Sequence, residues 1–129
     1  MEKKIIINSK KIPSAIGPYS PAVKVGKILF TSGQLPIDPE TGNIVRGGVQ
    51  KQTKQVLENL IALLNLYSIT LNNVVKTTVF LKDMNDFPEF NKIYSEYFKG
   101  EFPARSCVEV ARLPKDAGVE IEVIAYFLD

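Results

Sequence analysis

The chain has 129 residues, 45% hydrophobic and 23% charged, the make-up of one ordinary globular domain spanning 1–129. A net charge of +2 is too small to point to a nucleic-acid partner, and no apolar run approaches the length of a membrane span. There is no histidine and a single cysteine, so zinc, haem and Ser-His catalysis lose their usual residues, and a reducing cytoplasmic setting is expected.

The start, Met-Glu-Lys-Lys followed by three isoleucines, is too short for a secretory signal, and Glu2 to Ile7 reads as a β-prone opening. A connection punctuated by Pro13, Gly17, Pro18 and Pro21 leads to two strands, Ala22–Val25 and Ile28–Gly33, hinged at Gly26-Lys27 as a tight hairpin. A long loop through Pro36, Asp38–Gly42 and Gly47-Gly48 follows. From about Val49 to Tyr67 the positions Val49, Thr53, Val56, Leu57, Leu60, Leu63, Leu64 and Tyr67 recur at helical spacing. Thr70–Asn73 leads into a strand over Val74–Leu81.

Asp83 and Asp86 are both N-cap candidates for a second helix, with Pro88 in its first turn and Gly100 just beyond its end. Phe87, Phe90, Tyr94, Tyr97 and Phe98 lie along it. Two strands close the chain, about Ala104–Val110 and Val119–Leu128. The order βββ, α, β, α, ββ predicts an α+β fold: a two-layer sandwich of a mixed six-stranded sheet with both helices on one face. A simple hairpin across 111–118 would pair Glu120 near Glu109 and set Arg105 near Ile124, about four residues from Glu120.

The last strand alternates Val119, Ile121, Val123, Ala125 and Phe127 with Glu120, Glu122, Ile124, Tyr126 and Leu128. The first set is a core face; the second is too apolar for water alone and predicts an oligomer interface. Arg105 sits in an apolar run with Cys107 and Glu109 alternating on its side. An arginine there needs a planar anionic partner or access to water. It either pairs with Glu109, Glu120 or Glu122, or its fork binds a small carboxylate bidentately.

Glu120 beside Glu122 reads either as a solvated pair or, if partly buried, as a carboxylate whose raised pKa suits general acid/base work. Cys107 has no histidine to activate it and reads as an inert small hydrophobe. Tyr19 stands in the rigid segment Ala15–Pro21, and Ser32 and Gly33 end a strand where a ligand can approach the backbone. No glycine-rich phosphate loop of recognised spacing is present.

Four segments, Ile16-Gly-Pro-Tyr-Ser, Phe30-Thr-Ser-Gly-Gln, the run from Val75 to Phe87 and the run from Phe102 to Asp116, resemble the Rid (reactive intermediate deaminase) family. They stand in its order and spacing, close to the RidA subgroup, and the resemblance spans roughly residue 5 to the end. It implies a chorismate-mutase-like α+β fold, a homotrimer with sites between subunits, and hydrolysis of reactive 2-imino acids released by pyridoxal-phosphate enzymes. Those substrates, 2-iminobutanoate and 2-iminopropanoate, would yield 2-oxo acids and ammonia. By the same resemblance Arg105 binds the substrate carboxylate and Glu120 positions or activates water. Tyr19, Ser32, Gly33, Asn91 and Cys107 line the pocket, and no metal or cofactor is used. Two other readings stand beside it: a nonenzymatic 2-oxo-acid-binding regulatory trimer, and an endoribonuclease or translation inhibitor.

Overall fold

The computed structural model describes residues 3–4 and 9–128. Its elements in chain order are β1 (Lys3–Lys4), β2 (Ala22–Val25), β3 (Ile28–Thr31), α1 (Gly48–Asn65), β4 (Val74–Leu81), α2 (Phe87–Tyr97), β5 (Ala104–Glu109) and β6 (Val119–Tyr126). Of the predicted opening strand only β1 falls within the described residues. Short 3₁₀ turns at Leu71–Asn73, Met84–Asp86 and Pro114–Asp116 precede β4, α2 and β6.

The strands form one mixed sheet in the order β1-β2-β3-β6-β4-β5. β2 and β3 are a two-residue hairpin pairing Val25 with Ile28, and Gly26 takes φ 59° at its first turn position, a backbone state that glycine enters without steric cost. β6 is central, antiparallel to β3 on one side and to β4 on the other. β5 is an edge strand, parallel to β4.

The predicted final hairpin is therefore wrong. β4 lies between β5 and β6, and the connection through Pro114–Asp116 crosses it instead of folding back. The reason is in the registers: β6 is apolar enough on its core side to occupy the sheet centre, with Val119, Ile121 and Ala125 fully buried. β5 is more polar and takes the edge.

α1 buries the stripe the periodicity marks, with Val56, Leu57, Leu60, Leu63 and Leu64 all inaccessible to solvent. It packs with α2 on one face of the sheet, over Leu29, Val79, Leu81, Ile121 and Val123. Asn59, absent from the apolar stripe, is also buried; its Nδ2 donates to the carbonyls of Leu35 (3.0 Å) and Ile37 (2.9 Å). That pair fastens the long loop to the helix. The loop also encloses a small second core of Leu35, Ile37, Leu113 and Ala117, against which Phe80 packs.

The N-terminus of α2 is built in two steps. Asp83 caps the 3₁₀ turn by accepting from the Asn85 amide at 2.9 Å, whereas Asp86 stands at the cap of α2 without a side-chain bond. Glu109 Oε1, reaching from the end of β5, accepts the Met84 amide at 2.8 Å and ties α2 to the edge strand.

The opposite sheet face carries no helix. Ile28 and Phe30 of β3 and Tyr126 of β6 are exposed there, as the alternation and the pairing of the two strands require.

Candidate functional site

β5 directs Arg105 and Cys107 to the helical side of the sheet, in register with the buried Thr77 and Val79 of β4. Half-buried, the Arg105 guanidinium lies under α2, where Nη1 donates to Asn91 Oδ1 at 2.9 Å. Three rings surround its Cζ: Tyr94 at 4.8 Å, Phe87 at 5.3 Å and Phe90 at 5.8 Å. Among the described residues no carboxylate pairs with it; Glu109 is engaged with the Met84 amide, and Glu120 and Glu122 belong to another strand. A cavity of about 350 Å³ opens beside it, lined by Asn91, Tyr94, Ser95, Phe102, Pro103 and Arg105. The arrangement is a cation held by aromatic faces and one amide, with donors left for a planar anion.

Cys107 packs against the core beside Arg105. Burial raises its thiol above the ordinary range, outweighing the opposing pull of the Arg105 charge, so the thiol stays protonated. Burial likewise raises the Tyr94 phenol, against smaller lowering effects of Thr77 and Arg105.

Glu120 alternates with the buried Val119 and Ile121 and so points to the helix-free face. Its carboxylate lies against Gly33: a Cβ placed there would come within 2.5 Å of Oε2. Only glycine leaves that space, and the Gln34–Ile121 bridge holds the two segments in contact, with Gln34 N donating to Ile121 O at 2.8 Å. Burial, and secondarily the charge of Glu122, raise the Glu120 pKa. Ser32 Oγ donates to Ser20 O at 2.7 Å, pinning the Ala15–Pro21 segment next to Gly33. Tyr19, largely exposed, shares with Gly33 the lining of a narrow cleft of about 20 Å³.

The predicted residues thus fall into two separate clusters. Asn91, Arg105 and Cys107 form one at the β5 edge; Tyr19, Ser32, Gly33 and Glu120 form the other on the bare face. In register, Arg105 faces Thr77 and Glu120 faces Phe80, so they stand three residues apart along the sheet and two strands apart across it. That is roughly 10 Å in each direction, through the sheet as well as along it.

Tyr94, Phe87 and Phe90 escaped the sequence reading as partners of Arg105. Their spacing of three and four residues along one helix was the available signal. Two larger depressions, about 430 Å³ beside Tyr97 and Phe102 and about 620 Å³ beside Ile12 and Pro39, hold neither Arg105 nor Glu120. Among the described residues no helix is long and apolar enough to cross a membrane.

Comparison with known proteins gives the family. The family model described as endoribonuclease L-PSP matches residues 9–127. The chain is 56% identical over 123 residues to a RutC family protein of Pyrococcus abyssi, covering 95% of this chain and 97% of that one. It is 51% identical over 120 residues to the 2-iminobutanoate/2-iminopropanoate deaminase of Mus musculus, covering 93% and 89%. The crystal structure of E. coli TdcF with bound serine superposes with a TM-score of 0.89 at 44% identity, covering 95% and 98%. A family match across nearly the whole length, with relatives about half identical and a solved relative that superposes closely, places the chain in the endoribonuclease L-PSP family, to which the Rid and RutC proteins belong.

Proposed function

We propose that the protein is a hydrolytic deaminase of 2-imino acids such as 2-iminobutanoate and 2-iminopropanoate, and that its site is completed between copies of the chain in a homotrimer. The observation that carries this is Arg105, a half-buried arginine with donors free for a planar anion and no acidic partner among the described residues. A 2-imino acid supplies the carboxylate for its fork. It also supplies an electrophilic C=N carbon, already activated when the nitrogen is protonated. The mouse relative named for this activity and the relative solved with a bound amino acid support the same reading.

In the reaction, water adds to the imine carbon while Glu120 takes one of its protons. The resulting carbinolamine receives that proton on nitrogen; as the C–N bond breaks, the hydroxyl oxygen forms the carbonyl and passes its proton to the departing ammonia, so that the 2-oxo acid and ammonium leave. The raised pKa of Glu120 suits both halves of this exchange, since the group must accept and return a proton near neutrality. The protonated Cys107 serves as pocket wall and not as nucleophile.

Arg105 and Glu120 occupy opposite faces, so one protomer's edge must meet another's bare face. The exposed Ile28, Phe30 and Tyr126 give that face the apolar surface such a contact needs.

The test is ammonia release from 2-imino acids generated in situ by an amino-acid dehydratase. Wild-type protein should accelerate it. Arg105→Lys should lose about thirtyfold or more in kcat/KM, because an ammonium lacks the planar fork. Binding of 2-oxo acids without turnover would favour the regulatory reading instead, and RNA cleavage without imine hydrolysis would favour the ribonuclease reading.

A further inference from the structure

On the reading of Arg105 as the carboxylate-binding group, something must fix where its flexible side chain points. An acidic partner would do so only by competing with the substrate. The nearest ring, Tyr94, avoids that competition: its face attracts the guanidinium at 4.8 Å without neutralising it or occupying its N–H donors.

Tyr94 is itself immobilised from three directions. Its hydroxyl shares a 2.9 Å hydrogen bond with Thr77 Oγ1, and Thr77 is the direct register partner of Arg105 on β4. Its ring stacks on Phe98 at 4.6 Å and meets Phe90 at 5.4 Å. Thr77 is fully buried and Tyr94 is 6% exposed, so the ring has little room to turn.

We infer that Tyr94 is a positioning residue for Arg105: clamped to β4 through Thr77, it offers a π face that holds the guanidinium with its fork toward the cavity. Asn91 engages one guanidinium N–H and sets rotation about the ring normal.

The test is to measure kcat, KM and Tm for Tyr94→Phe, Tyr94→Leu and Tyr94→pentafluorophenylalanine, with Arg105→Lys alongside. Tyr94→Leu, which lacks a π face, should raise KM about two- to thirtyfold while kcat stays near wild type. Tyr94→Phe leaves the Thr77 hydroxyl buried and unpaired, so its Tm should fall while its KM remains close to wild type. The pentafluorinated ring keeps the shape of Phe but reverses its face charge, and KM should rise relative to Tyr94→Phe. This comparison stands even if Tyr94→Leu does not fold. KM values that follow Tm instead of ring electronics would overturn the inference and leave Tyr94 a packing residue. If Arg105→Lys raises KM but neither ring variant does, the inference alone fails; if Arg105→Lys leaves KM unchanged, the carboxylate-binding reading fails first.

Discussion

Arg105 and Glu120 belong to one sheet but to opposite faces of it, three residues out of register and separated by the whole of β4. A ligand the size of a 2-imino acid cannot touch both within one protomer, since strand spacing and residue rise alone put them roughly 10 Å apart in each direction. The consequences are distinctive.

Two inactive variants should repair each other. On the proposed shared site, Arg105→Ala and Glu120→Gln oligomers would each lack one half of every site. Co-refolded in equal amounts, about a quarter of the sites should contain both intact halves by random assembly. Ammonia release from the mixture should therefore reach roughly a quarter of wild type. Mixed oligomers, confirmed by mass, that stay inactive would sink the shared site.

Glu120→Gln should lower kcat while 2-oxo-acid binding, read by calorimetry, largely survives. On the proposed mechanism, in which the ionised form accepts the water proton, the wild-type rate should fall on acidification through a pKa above the ordinary glutamate range, because burial raises that pKa. The variant should lack this limb. Stability follows the opposite sign. A raised folded-state pKa means that Glu120 contributes stability below its unfolded pKa and loses it as pH rises through the folded value. Glu120→Gln should thus melt higher than wild type at neutral pH, and the gap should close in acid. A Tm gap that widens in acid would contradict the burial of this carboxylate.

Gly33→Ala tests the packing of Glu120 directly. The added methyl would stand 2.5 Å from Oε2 and must push the carboxylate aside. Displacing a reacting group by this order of distance costs about tenfold or more in kcat, while Arg105-dependent binding remains. An unaffected kcat would mean that Glu120 does not act from the position seen here.

Cys107→Ser should retain most activity, because a partly buried, protonated thiol contributes volume and not nucleophilicity. Loss of the covalent route is checked by single-turnover kinetics. A dead Cys107→Ser beside an active Glu120→Gln would reverse the assignment of roles.

Asn59→Leu should destabilise the protein by about 1–3 kcal/mol in urea unfolding. It leaves the buried Leu35 and Ile37 carbonyls without the amide that now serves both. Activity per folded molecule should change little, since Asn59 touches neither of the two clusters.

The sequence alone determined the elements and marked the candidate site residues. Helical spacing from Val49 to Tyr67 found the buried stripe of α1, and alternation in the last strand found both the core face and the bare apolar one. Those signals are local: a period of 3.6 or 2 is set by covalent geometry and shows wherever one side of an element is buried. Arg105, Cys107 and Glu120 stood out for the same reason, as polar residues within apolar runs.

Pairing was decided only by the tertiary structure. Val119–Tyr126 could pair with β5 as a hairpin or pass beyond it, and the local pattern is equally compatible with either. The choice rests on which strand buries more apolar surface at the sheet centre, a comparison between distant segments. Insertion of β4 between β5 and β6, with the shift in register it imposes, then set Arg105 and Glu120 on opposite faces. It also set Thr77 beside Arg105, close enough to Tyr94 for their hydroxyls to meet. Such contacts join residues far apart in sequence, and no period within either segment encodes them.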